Sequence, residues 1–191
     1  MTYVCFVRHG ETEWNLQKRV QGITNTELTA KGIAQAKQAA IFLKQYNWDH
    51  IITSPLKRAV QTAEIIAENL EFREISKWYE FQERQYGDAT GLYINEYQQL
   101  LNSKQKIKNW ENNEELGKRI ISGLGKLIDL FPNEKIIVIS HGIPIMAILE
   151  YISKKKLSND IFHLKNGCLN FVHYDNDVWV IDQYNVTKHL C

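Results

Sequence analysis

Apolar residues along this 191-residue chain alternate between two spacings. Short unbroken runs, "YVCFV" (3–7), "HII" before "TSP" (50–55) and "KIIVIS" (135–140), have the form of strands buried on both faces. Between them, apolar positions recur every three or four residues. Ile33, Ala36, Ala40 and Leu43 follow Thr29, which predicts a helix capped by that threonine. Leu56, Val60, Ala63, Ala67 and Leu70 predict a second helix after Pro55. Leu116, Ile120, Leu124, Leu127 and Phe131 predict a long one ended by Pro132, and residues 143–153 another. "NFVHY" and "VWVID" flank Asp175-Asn176-Asp177, the signature of a closing hairpin. Residues 79–91 have no period and read as loop; the polar and aromatic stretch 92–110 reads as a helical cap. Strands alternating with helices predict an α/β fold. The expectation is a single three-layer domain over residues 1–191, with a mostly parallel central sheet, helices on both faces and an antiparallel edge from the C-terminal hairpin. No repeat or linker breaks the chain.

Two of the strands end alike. "FVRHGET" (6–12) passes from apolar run to Arg8, His9 and Gly10, and "IIVISHG" (136–142) to His141 and Gly142. Ligands of open α/β sheets bind outside the carboxyl ends of the strands. That pole also receives Ser54 and Arg58 from the second strand, and the loop adds Glu83 and Arg84. Arginine forks match phosphate oxygens, and glycines let backbone approach a ligand closely. The helix after His141 points its N–H groups at the same place. Histidine can carry a covalent intermediate, and a glutamic acid can protonate a leaving alkoxide. Arg8, His9, Arg58, Glu83 and His141 thus fit phosphoryl transfer, which depends mainly on positioning and charge stabilisation. Two histidines and a glutamate also resemble a facial metal triad, but the adjoining arginines oppose a divalent cation. Singly, each residue has an ordinary structural reading, and Arg58 has candidate surface partners in Gln61 and Thr62; the argument rests on their convergence.

Composition narrows the partners. The chain is 44% hydrophobic and 24% charged, values of a globular protein rather than a disordered one. A formal net charge of +1 gives no overall field for nucleic acid or membrane, so attraction for anions must be local. Cys5, Cys168 and Cys191 are too scattered for a disulfide framework or a C-x-x-C site. Lys154 to Lys156 read as a solvated helix end. With no basic leader and no long apolar span, the expectation is a soluble cytoplasmic protein.

"VRHGETEWN", "RVQGITNTELTAKGIAQA" (19–36), "TSPLKRAVQTA" (53–63), "ERQYGDATGL" (83–92) and "VISHGIPI" (138–145) resemble, nearly end to end, the histidine phosphatase superfamily in its phosphoglycerate mutase-like branch. The short bacterial broad-specificity phosphatases of that group are the most similar. The resemblance implies His9 as the phosphorylated nucleophile, Arg8, Arg58 and His141 as the phosphoryl clamp, and Glu83 as proton donor. Asn15 would touch the phosphate, Gln21 and Gly22 would line the way in, and Arg84 and Tyr86 would hold a carboxylate or second phosphate. Gly142 joins them as a glycine beside the ligand. The implied substrate is a small phosphate monoester, with no metal or diffusible cofactor. Many of these phosphatases carry Trp-Glu-Gly where residues 89–91 here read Ala-Thr-Gly. The competing activity is a cofactor-dependent phosphoglycerate mutase. Such mutases are larger and carry paired arginines, whereas here Arg119 is the only arginine after Arg84. An inactive phospho-ligand binding protein is a third reading, opposed by the complete catalytic set.

Overall fold

The computed structural model describes residues 1–154, 156–157 and 164–190; Lys155 and Cys191 lie outside the described residues. In chain order the elements are β1 (Thr2–Arg8), α1 (Glu13–Leu16), α2 (Ala30–Leu43), β2 (His50–Thr53), α3 (Lys57–Leu70), β3 (Ser76–Lys77), α4 (Ile94–Asn102), α5 (Asn113–Leu130), β4 (Lys135–Ser140), α6 (Gly142–Ile152), β5 (Leu169–Asp175) and β6 (Val178–Val186). Two 3₁₀ turns, Tyr79–Phe81 and Gly87–Ala89, lie inside the stretch read as loop.

The six strands form one sheet in the order β3-β2-β4-β1-β5-β6. β3, β2, β4 and β1 run parallel, while β5 and β6 are antiparallel additions at one side. The hairpin turns on Asn176 and Asp177, both with positive φ (47° and 61°), as a two-residue turn matched to strand twist requires. Alternate residues of the central strands feed two cores. Val4, Phe6, Ile52, Ile136 and Val138 pack under α5 and α6, against Leu116, Ile120, Leu124, Leu127, Ile145 and Ile148. Cys5, Val7, Ile51, Ile137 and Ile139 pack on the other face, against Ala39, Ala40 and Leu43 of α2 and Ala59, Ala63 and Ile66 of α3. Both faces are covered, which is why the strands read as continuous apolar runs.

Thr29 caps α2 as expected, its side chain accepting from the Gly32 amide. In α3 the buried line differs from the expected stripe. Leu56 is the N-cap, and the fully enclosed positions are Arg58, Ala59, Thr62, Ala63 and Ile66. The cap helix, α4, is shorter than the stretch that suggested it and buries none of its residues. Cys168 is buried in the α5/α6 core, Cys5 on the opposite face. Lys154 and Lys156 are exposed just beyond α6.

Candidate active site

Register brings the polar residues together. Arg8 of β1 lies opposite Ser140 of β4, and Thr53 of β2 opposite Ile139. The next residues, His9, Ser54 and His141, therefore leave three adjacent parallel strands at one level. The His9 amide donates to the Ser140 carbonyl (3.1 Å) and the Ser54 amide to the Ile139 carbonyl (2.9 Å). The two imidazole rings lie 5.1 Å apart, centroid to centroid.

His9 is held in one tautomer. Its Nδ1 lies 2.7 Å from the Gly10 carbonyl, and its Nε2 accepts from Arg58 Nε at 3.1 Å. A guanidinium can only donate, so Nε2 carries a lone pair and Nδ1 the proton. Arg58 is fully buried, spending its other nitrogens on the carbonyls of Thr24 (2.8 Å) and Gly22 (2.9 Å). Thr62, one turn on, donates to the Arg58 carbonyl (2.8 Å) and accepts from the Gly10 amide (3.2 Å), joining α3 to the His9 loop. A Cβ on Gly10 would be 2.9 Å from the Cα of Gly32, so this glycine admits α2 against the loop.

His141 Nε2 lies 2.7 Å from Ser54 Oγ, while its Nδ1 is buried without a partner among the described residues. Arg8 bonds the Leu164 carbonyl through Nη1, and its buried Nε likewise has no partner among the described residues. Gly142 opens α6 beside it; a Cβ on Gly142 would stand 3.6 Å from Arg8 Nε. Two buried nitrogens without partners among the described residues, flanked by a helix N-terminus, suit an anion.

The electrostatics separate the histidines from the carboxyl. Burial, then the Arg58 and Arg8 charges, holds His9 well below the ordinary imidazole value. Burial, Arg58, His9 and Arg8 do the same to His141. Glu83 moves the other way: the residue is half-buried, but desolvation of its carboxyl raises its pKa against the opposing pull of Arg58. Burial lowers Arg58 to about 10, which leaves it charged at neutral pH. Histidines held neutral, and a carboxyl of raised proton affinity that shares Arg58 and Arg8 with them as charged neighbours, suit a nucleophile and an acid.

The remaining candidates divide. Asn15 Oδ1 accepts from the Thr12 amide (3.1 Å) and from Asn166 Nδ2 (3.1 Å), and Asn166 also bonds the His9 carbonyl (3.2 Å). Gln21 is buried and accepts from the hydroxyls of Thr12 (3.0 Å) and Thr26 (2.6 Å), so it braces the loop. Gly22 has φ +52°, and a Cβ there would meet the Arg84 carbonyl and the Tyr86 ring, each at 3.3 Å. Tyr86 packs edge-on against Tyr97 of α4 at 5.4 Å. Arg84 gives its amide to Glu83 Oε1 (2.9 Å) but turns its guanidinium to Asn113 (2.7 Å) and the Trp110 ring (5.5 Å).

The profile of the histidine phosphatase superfamily (branch 1) matches residues 4–187. The chain belongs to that superfamily. It is similar to an uncharacterized phosphatase, PhoE, of Bacillus subtilis, 42% identical over 190 residues that cover 100% of this chain and 97% of the relative. It is similar also to a probable phosphoglycerate mutase, GpmB, of Escherichia coli, 32% identical over 94% of this chain and 88% of the relative. Among solved structures, a phosphoserine phosphatase mutant from Entamoeba histolytica in complex with phosphoserine superposes with a TM-score of 0.85 at 28% identity, covering 100% of both chains. This histidine phosphatase thus has relatives named for both chemistries that its site suggests.

Several site-building residues escaped the sequence reading. Asn166 and Gly167 precede β5, and the Gly167 amide donates to the carbonyls of Arg8 (3.0 Å) and His9 (3.2 Å). The Asn-Gly pair was a readable turn signal, but nothing local says that the turn closes on residues 8 and 9.

Proposed function

We propose that the chain hydrolyses small phosphate monoesters through a phosphohistidine on His9, with Glu83 as proton donor. The observation that carries this reading is the His9 tautomer, its Nδ1 on the Gly10 carbonyl and its Nε2 lone pair facing Arg58. In the first step Nε2 forms a bond to phosphorus while the ester P–O bond breaks. The departing alkoxide takes the Glu83 proton, and the Gly10 carbonyl supports the positive charge that develops on the ring. In the second step water attacks phosphorus and yields its proton to the Glu83 carboxylate. The P–N bond breaks, and inorganic phosphate leaves His9 and Glu83 as they began. Arg8, Arg58 and, with its proton on Nδ1, His141 hold the equatorial oxygens, supplying fixed positive charge and hydrogen bonds where charge concentrates, so no metal is needed for it. Asn15 adds a contact to the same phosphate.

The phosphoserine bound to the Entamoeba relative is itself a phosphate monoester and supports this substrate class. A mutase must keep water from the phosphohistidine while its product reorients. Here α4 buries nothing, Lys104, Lys106 and Lys108 are exposed, and Arg84 is engaged with Asn113 and Trp110. These features favour hydrolysis.

Quenching wild-type enzyme during turnover of a phosphate-labelled ester should trap an acid-labile, base-stable phosphate on His9. His9→Ala should lose the label and on the order of 10³-fold or more of the rate. Label on a serine or cysteine, or a tenth of the rate surviving in His9→Ala, overturns the assignment.

A further inference from the structure

Glu83 sits in irregular chain between the two 3₁₀ turns, where neither strand nor helix holds it. Its carboxyl has one hydrogen-bond partner among the described residues, the amide of the next residue, Arg84. A proton donor so placed must be positioned through its backbone. We propose that Arg119 and Glu111 form a positioning pair for Glu83, gripping the chain on both sides of it.

Upstream, Arg119 Nη1 donates to three carbonyls: Tyr79 (3.4 Å), Glu80 (2.8 Å) and Gln82 (2.9 Å). The carbonyl left over in that segment, that of Phe81, accepts from Ser140 Oγ at 2.7 Å, one residue before His141. Downstream, the Glu111 amide donates to the Gln85 carbonyl (2.8 Å), and the Glu111 carboxylate accepts from the Gln85 amide (3.4 Å). The two grips are one object. Arg119 Nε and Nη2 donate to the two Glu111 oxygens, each at 2.8 Å, with the side chains only 19% and 15% exposed.

A bidentate arginine–carboxylate fork fixes orientation as well as distance. A lysine could reach one of these acceptors but could not reproduce the fork. The arginine also stands on firm ground. α5 is packed into the core through Leu116, Ile120 and Leu124. One turn beyond Arg119, Gly123 lets the 3₁₀ turn seat against the helix, where a Cβ would come within 2.9 Å of Glu80 Cβ and 3.0 Å of Phe81 Cζ. Rigid α5 thereby sets where residues 79–85 run, and with them Glu83.

This inference rests on the reading of Glu83 as proton donor, so the test includes that residue. Wild type, Arg119→Lys, Glu111→Gln, Glu83→Gln and the Glu83→Gln/Arg119→Lys double variant are compared on an alkyl phosphate and on nitrophenyl phosphate, whose phenolate leaves without a proton. The quantity is kcat/KM across pH, which reports transfer to His9. Arg119→Lys should slow the alkyl ester by ~10–10²-fold and the nitrophenyl ester by less than about 3-fold. The basic limb of its alkyl profile should shift to lower pH as the carboxyl gains water. The double variant should be no slower on the alkyl ester than Glu83→Gln alone. If Glu83→Gln discriminates between the esters but Arg119→Lys slows both equally, the pair is merely structural and the proposal fails while the acid assignment stands. If Glu83→Gln itself treats both esters alike, the acid assignment fails and takes the positioning role with it. Should Arg119→Lys not fold, Glu111→Gln decides by the same comparison, since it loosens the fork and retains the arginine.

Discussion

At the scale of single residues, the site stores its protonation states in burial, and that gives stability a pH dependence. His9 and His141 stay neutral in the folded protein well below the pH at which an unfolded histidine takes up a proton. Below about pH 6.5 the unfolded chain therefore binds two protons that the folded chain refuses, and stability falls as pH drops. Glu83 acts in the opposite sense. Its folded pKa is raised, so its contribution is present below the unfolded value of about 4.5 and is lost as pH rises through the folded one. Two protons outweigh one, and the net expectation is a loss of stability between about pH 6.5 and pH 5. Each proton contributes ~1.4 kcal/mol per pH unit to that slope. His141→Gln should remove one of them, which urea unfolding at a series of pH values will measure; an unchanged slope would mean that His141 titrates normally in the folded state.

At the scale of elements, α2 is seated on the His9 loop through two facing glycines. A Cβ on Gly32 would lie 2.8 Å from the Glu11 amide nitrogen and closer still to the Glu11 carbonyl oxygen. A glycine-to-alanine change inside a helix ordinarily stabilises by ~1 kcal/mol, and Gly125→Ala in α5, with nothing within 4 Å of the new methyl, should do so. Gly32→Ala should instead destabilise by ~1–3 kcal/mol and lower activity by displacing the loop, with thermal melts and turnover giving the two readouts. Helices and central strands were legible from periodicity because core burial imposes the period: Leu116, Ile120, Leu124 and Leu127 of α5 lie where the spacing puts them. β3 was not, since both of its residues, Ser76 and Lys77, are exposed and carry no pattern. In α3 the apolar stripe was displaced by a charge, since Arg58 takes a core position to reach His9. Strand-end residues such as His9 and His141 were legible because topology alone fixes their pole. Arg119 and Asn166 were not, because what they do depends on which distant carbonyls approach them.

For the whole molecule, the exposed cap bears on what the enzyme releases. With α4 burying no residue, the cap offers little to keep water from the proposed phosphohistidine. 3-Phosphoglycerate, if turned over, should yield free phosphate and glycerate faster than 2-phosphoglycerate, with or without a bisphosphate primer. Isomerisation outpacing phosphate release would show that Arg84 and Tyr86 suffice to retain the product. The strand order has a different consequence, one of timing. β1 and β2 bring His9 and Arg58, yet they are not neighbours; β4, which starts at Lys135, lies between them. A chain emerging from the ribosome therefore holds His9 and Arg58 long before anything sets them side by side. Insertion of a late strand between two early ones is a long-range, slow kind of event. Catalytic competence should thus arrive in a single late step of folding, and a nascent chain should remain unable to attack cellular phosphate esters until most of it has been made.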